Sequence, residues 1–486
     1  MNVRDYFYDY PFFFVFLSLV GLFLFFQHNF LWPVFLLLLV FSAFIDIKVT
    51  LLCICILIST LLFHYPHSKI TEVPKSNVIG GTIYDLRQNR SLNLLVKSQN
   101  RSYYLFASKL YDNLNIGDSI SFKSHLFPLS KLKNRGFRNY LISKNVRFYG
   151  FAYDIKKKQS KSLISFVNAY RLSIEKEFYY FLNRKNYIFT QNALFGDSRN
   201  RSQIKHIFIN TQTAHILSVS GIHMGFVFTI FYTLFYFIIS NIRYIYTRFH
   251  LKIAASITAL VPTMLYFFMS GMHIPAIRAF ALVIIFIFAM IFGIKKNTYN
   301  SLFFVASMFV MIFGVDIILS ASFIMSFVMS FFAIYLASLV SLIKMPKAVV
   351  YIIFSVLMSI SAMPLIVYYF HKISFISPLA NVVVVPYFGF VLLPLSFTAM
   401  SGAILGIYQI EHIMFYLLNL FVSLLFYFLN IFNAVKPINF HISTLHIIIA
   451  YSFWLYIIFY VKKTIHLRIM QTEADDKMCK YTKPVC

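Results

Sequence analysis

Apolar runs of about 20 residues recur along this chain, and no other feature limits its fold so tightly. Wound as a helix, a run of that length crosses the hydrocarbon of a bilayer, because each residue rises ~1.5 Å. Three runs open the sequence, at roughly 11–26, 30–44 and 49–63. Nine more follow, near 216–239, 252–270, 274–293, 301–314, 319–342, 348–370, 376–400, 412–433 and 441–460. The expected fold is an all-α polytopic membrane protein with about twelve transmembrane helices. Charged residues make up only 12% of the chain against 59% hydrophobic, too few to cover a soluble surface. The leading MNVRDYFYDYP runs into FFFVFLSLVGLFLFF with no small-residue cleavage site, so the first run is expected to remain as a helix.

One region breaks the pattern. From His67 to about residue 160 the chain is polar, basic and alternating. VIGGTIYDL, SLNLLVKS, SYYLFAS, GDSISFK and NVRFYGFAYD read as five short strands, most of them separated by turn-like segments. Five strands in about 90 residues predict an inserted β-barrel of the OB type, with a small sandwich as the alternative. The stretch 161–185 has helical apolar spacing with Lys and Arg between, and reads either as an amphipathic helix on the membrane surface or as a helix packed on the barrel. The expected organisation is thus 1–66 (three helices), 67–160 (the OB-like domain), 161–213 (an interfacial segment), 214–461 (the main membrane domain) and 462–486 (a polar tail).

Loop charges orient this scheme. With the N-terminus in the cytoplasm, the inside loops hold Arg243, Arg248 and Lys252, then Lys295 and Lys296, then Lys344 and Lys347, and the tail opens with Lys462, Lys463 and Arg468. The outside loops hold little beyond Lys372 and Lys436. Both termini are therefore expected in the cytoplasm and the β domain outside. That domain carries 18 Lys/Arg against 5 Asp/Glu between residues 68 and 161, about half of the chain's net +27. Positive charge outside is not what the loop rule generates, so it points to an anionic partner: nucleic acid, lipid headgroups or a cell-wall polymer. Tyr103 and Tyr104, beside Arg101 and Lys109, form either a stacking platform or ordinary strand residues, and Arg135 and Arg138 add to the basic surface. The four cysteines, Cys53, Cys55, Cys479 and Cys486, include no CxxC pair; no metal, cofactor or thiol chemistry is expected.

Polar residues also sit where lipid should be. TQTAHILSVSGIHMG opens the second half, and on one helix His215, Ser218 and Ile222 share a face, with His223 beside them and Ser220 and Gly221 further round. Such groups cost several kcal/mol in lipid unless paired or wet. A metal site, a Ser–His nucleophile, helix-to-helix hydrogen bonds or a cavity lining would each satisfy them. In FFMSGMHIPAIRAFAL the run breaks at Gly271 and restarts at Pro275, leaving Arg278 to snorkel or to hold a phosphate path. Ser320, Ser322 and Ser326 interrupt another run, and Pro378, Asn381, Pro386 and Pro394 a further one. Broken spans with polar linings argue for passage of a polar substrate.

The segment ALFGDSRNRSQIKHIFINTQTAHILSVSGIHMG resembles the signature of the ComEC-type competence channel family, with the match carried by Asn192 to Asp197 and Thr213 to Gly225; Gln212 stands where the family has glycine. SGMHIPAIRAFAL, SASFIMSFVMSFFAIYL and SPLANVVVVPYFGFVLLPLSF resemble later family segments in the same order, and KNRGFRNYLISKNVRFYGFAYD resembles the end of the family's OB domain. The resemblance implies an inner-membrane channel that passes transforming DNA into the cytoplasm as a single strand, with no catalytic residue of its own. The expected passage residues are His215, Ser218, Ser220, Gly221, His223, Arg278, Ser326 and Asn381. The family's longest members carry a C-terminal metallo-β-lactamase-like domain; this sequence resembles the short form, having no HxHxDH motif. A separate nuclease is therefore an expected partner. No P-loop is present, so a cytoplasmic ATPase or helicase, or single-strand-binding proteins, are expected to drive or capture the strand, and an extracytoplasmic receptor to deliver it. Lipid and a second copy of the chain are further expected contacts. Two other readings stand beside this one: a secondary transporter for a small anion, and a membrane enzyme acting on a lipid or polymer through Ser220 and His223.

Overall fold

The computed structural model describes residues 78–464 with short gaps, the longer ones at 109–113, 159–162, 243–249 and 294–297. The three N-terminal runs, Lys109 and the polar tail lie outside the described residues.

Alternation in the polar region does produce five strands: β1 Ile79–Gln88, β2 Leu92–Ser98, β3 Arg101–Ala107, β4 Ser119–Pro128 and β5 Val146–Lys158. They close into a barrel in the order β1-β2-β3-β5-β4, antiparallel except where β3 runs parallel to β5. Inward residues fill it. Leu94, Val96, Leu105 and Phe122 are fully buried, each contributing on the order of 2 kcal/mol. Gly150 lies opposite Leu126 of β4, and a Cβ there would run into the His125 carbonyl. Helix α1, Arg135–Ser143, had no counterpart in the strand pattern. It seats Leu141 in a second cluster on the barrel's outside, with Leu95, Tyr104, Val146, Phe137 and Tyr149.

The helices that follow are α2 Leu163–Phe181, α3 Arg184–Phe195, α4 Ser202–Asn210, α5 Gly221–Ser240, α6 Leu251–Met269, α7 Ile274–Ile291, α8 Thr298–Phe313, α9 Ala321–Val340 and α10 Lys347–Phe370. Then come α11 Ser377–Tyr387, a π-helical turn at Phe388–Leu392, α12 Leu393–Leu405 and α13 Tyr408–Asn433. Two-residue strands β6 Lys372–Ile373 and β7 Ile438–Asn439 pair with each other.

Among the described residues, seven helical stretches are long and apolar enough to cross a membrane, counting Ser377–Leu405 as one. Of the nine later runs in the sequence, Thr298–Phe313 and Leu445–Ile458 form shorter apolar helices. The protein is a membrane protein with a small five-stranded barrel.

The chain divides into two compact units. The first holds described residues 78–206, 214–327 and 387–427, and the second 207–213, 328–386 and 428 onward. In the first, α5, α6 and α7 share a core of Met224, Val227, Tyr266, Phe267, Ala276 and Ala279. α2 packs on helices rather than standing alone: Phe178 meets Phe195 at 5.5 Å and Phe415 at 4.8 Å, both edge to face. In the second, Phe332, Leu336, Leu339 and Ile458 form a core, and Ser361 takes hydrogen bonds from Tyr451 and Trp454.

Candidate functional site

The polar segment that opens the second half is built in three pieces, and the first is a helix end. α3 finishes at Phe195, and Gly196 follows in the left-handed region at φ 65°. Glycine adopts that turn without a Cβ penalty, and the backbone N–H groups of Gly196 and Asp197 return to the Gln191 carbonyl. The turn carries Asp197 inward to a buried ion network with α2. Arg171 Nε lies 3.1 Å from Glu175 Oε1, and Arg171 Nη2 lies 3.7 Å from Asp197 Oδ2. Gln191 Nε2 donates to Glu175 Oε2 at 3.3 Å and to Asp197 Oδ2 at 3.5 Å. The α3 end is further fixed by the Tyr266 hydroxyl, which donates to the Leu194 carbonyl at 3.0 Å.

The second piece is a tight turn in the second unit. Thr211 and Thr213 share a hydrogen bond of 2.8 Å, and Gln212 between them has φ 56°. That angle explains why glycine suits this position in relatives of the signature: Gln212 holds a left-handed backbone that a side chain disfavours. Its Nε2 donates to the Lys372 carbonyl at 3.3 Å, while its buried Oε1 has no hydrogen-bond partner. Lys372 Nζ donates to Asn210 Oδ1 at 3.0 Å, and Asn210 Nδ2 donates to Asn433 Oδ1 at 3.0 Å.

The third piece corrects the expectation of one continuous helix from His215 to His223. Ala214–Leu217 is a short 3-10 turn, the chain then extends, and α5 starts at Gly221 with Ser220 as its N-cap. His215 is exposed on the 3-10 turn, and Ser218 donates back to its carbonyl at 3.1 Å. His223 is fully buried. The Ser220 backbone N–H donates to His223 Nδ1 at 3.1 Å, and Ser220 Oγ lies 3.2 Å from the same nitrogen. Because an N–H can only donate, Nδ1 is the acceptor, and the neutral ring carries its proton on Nε2. The ring packs on Phe388 of the π-helical turn at 5.2 Å. The pair therefore works as a capping box in which histidine takes the place of glutamate or glutamine.

Arg278 does not snorkel. Its Nη1 donates to the Ser326 carbonyl at 2.6 Å, and its guanidinium carbon stands 6.0 Å from the Phe327 ring centre. A Cβ on Gly221 would sit 3.7 Å from Arg278 Nη2, so the guanidinium lies beside the first turn of α5. Its Nε has no hydrogen-bond partner. The structure thus gathers Ser220, Gly221, His223, Arg278 and Ser326 in the first unit. Asn381 lies in the second, donating to Ser359 Oγ at 3.1 Å and to Ser377 Oγ at 3.3 Å. Among the described residues no group of three or more His, Cys, Asp or Glu is placed to hold a metal.

On the barrel, the structure removes Tyr103 and Tyr104 from any stacking surface: they are 3% and 5% exposed. Tyr103 points inward against Phe148 and Phe122, and Tyr104 points outward but lies under α1 against Phe137. Burial raises the Tyr103 phenol above the ordinary tyrosine range, against the pull of nearby Arg101. Arg101 and Arg138 are half-buried, and Arg135 begins α1. Among the described residues of the barrel, the large exposed aromatic side chains are instead Phe151 and Tyr153 on β5. Strand alternation predicts that residues 103 and 104 face opposite sides, but it cannot say that a helix will cover one of them. Arg171 and Glu175 were equally hidden in the sequence, because an i, i+4 pair on an amphipathic helix reads as solvent-facing.

The family model for Competence protein matches residues 194–464, more than half of the chain. No curated protein and no solved structure matches it.

Proposed function

Since the chain belongs to the competence protein family, with a role in DNA uptake, we propose that it forms the membrane passage through which one strand of transforming DNA reaches the cytoplasm. The observation that carries this reading is the match itself, which begins at Leu194, at the buried end of α3, and runs over every broken polar segment described above. Arg278 supports it. A guanidinium beside the first turn of a helix sets a cation against the positive end of the dipole, an arrangement that suits a passing phosphate. His223, having no exposed surface, serves the path by fixing the start of α5 rather than by touching DNA.

The chain crosses the membrane several times, with both termini in the cytoplasm and the barrel outside. The closed order β1-β2-β3-β5-β4 supports an OB-like reading of that barrel, and its basic surface would draw DNA to the entrance by phosphate contacts. Ser218, His215 and Asn381 remain candidates for the lining. An extracytoplasmic receptor, a separate nuclease and a cytoplasmic motor or single-strand-binding protein complete the proposed pathway. The test is uptake of end-labelled duplex DNA by cells with and without the gene. Cells lacking it should bind DNA outside but accumulate no labelled single strand inside; normal accumulation would overturn the reading.

A further inference from the structure

Alternate residues of β5 between Arg147 and Tyr153 face outward, giving the row Arg147, Tyr149, Phe151, Tyr153. Each ring of this row has an aromatic neighbour on the next strand: Tyr149 with Phe127 at 5.7 Å, Phe151 with Phe106 at 5.5 Å, and Tyr153 with His125 at 5.5 Å. α1 covers the Tyr149 end, but Phe151 is 59% exposed and Tyr153 44%. Phe151 and Tyr153 thus form an exposed aromatic pair at the end of the row that α1 leaves open.

We propose that this outward row of the barrel is where bases of an unpaired DNA strand stack, a reading that rests on the DNA-uptake role proposed above. Spacing supports it. Outward side chains repeat every ~6.7 Å along a strand, about twice the ~3.4 Å between stacked bases, so bases drawn apart can each meet a ring. Charge supports it too. Lys123 pairs across the ladder with Tyr153, Arg147 begins the row, and Lys156 and Lys157 are exposed just beyond its end. Two carboxylates lie close, and each is already matched: Asp154 to Lys123 at 3.1 Å and Asp118 to Lys157 at 2.7 Å. Cations flanking a pair of exposed rings fit a polyanion whose bases are bare.

The experiment uses the full chain in phosphatidylcholine nanodiscs, with a fluorescent oligothymidine as probe and anisotropy as readout. Phe151→Ala with Tyr153→Ala should weaken binding by about tenfold or more while leaving the slope against salt unchanged, because base stacking carries little counterion release. Lys156→Gln with Lys157→Gln should weaken binding and flatten that slope. Tyr153→Phe should bind as wild type, since a phenyl ring stacks as a phenol does. If the wild-type protein binds no oligothymidine at low salt, the DNA reading of the barrel fails and this inference with it. If the lysine pair matters and the ring pair does not, DNA binding stands and this inference is overturned. It is equally overturned if the ring variant binds DNA normally but loses attachment of the barrel to vesicles, which would make the row a lipid seat.

Discussion

Gln212 shows how a single backbone angle separates a tolerated residue from a favoured one. A non-glycine residue held in the left-handed region costs on the order of 1 kcal/mol, and its orphaned Oε1 adds to that, against one hydrogen bond to the Lys372 carbonyl. Gln212→Gly should therefore raise thermal stability in detergent by about 1 kcal/mol, whereas Gln212→Ala keeps the strain, loses the bond and should gain nothing. His223 yields a sharper comparison. Its Nδ1 accepts the Ser220 N–H at the start of α5, so His223→Ala should cost ~1 kcal/mol or more and depress uptake. His223→Gln, with a carbonyl at the usual capping-box position, should restore both. Were His223 a catalytic base, glutamine would stay inactive, and that result would favour the enzyme reading.

At the scale of elements, the polar residues in the apolar runs divide into two kinds. Many hydroxyls bond the carbonyl four residues back in their own helix, as do Ser256, Thr263 and Ser307 at 2.7 to 2.9 Å. These need no cavity, so counting them as lining overstates how wet the helices are. The second kind ties elements together. Asn186 Nδ2 on α3 reaches Asn419 Oδ1 at 2.7 Å and Ser423 Oγ at 2.8 Å on α13. Asn186→Leu should lower stability by about 1 kcal/mol, and by less when Asn419→Leu is already present, as a double-mutant cycle would show. The network of Arg171, Glu175 and Asp197 should be less forgiving. Arg171→Leu leaves two buried carboxylates without their guanidinium and should cost roughly 3–5 kcal/mol, read as loss of folded protein in the membrane fraction. From the sequence, the strands and most helix limits were legible, because alternation and apolar length are local properties. That Asp197 turns inward while His215 turns out was not, because both depend on where Gly196 and Ser220 break the helices.

Across the whole molecule, the charge on the barrel makes one further prediction. With 18 Lys/Arg against 5 Asp/Glu in residues 68–161, binding of DNA should fall steeply with salt and show little sequence preference, which titrations of unrelated oligonucleotides at several salt concentrations would check. Apolar run length and loop charge, read straight from the chain, determined that this is a membrane protein carrying a basic β domain, since hydration cost and helix rise act on each segment wherever it packs. Which tyrosines the barrel swallows, which histidine caps a helix, and whether Arg278 reaches for water or for a carbonyl were decided only by tertiary structure. Those outcomes turn on what neighbouring elements cover, and burial is a property of the assembled pair rather than of either strand or helix alone.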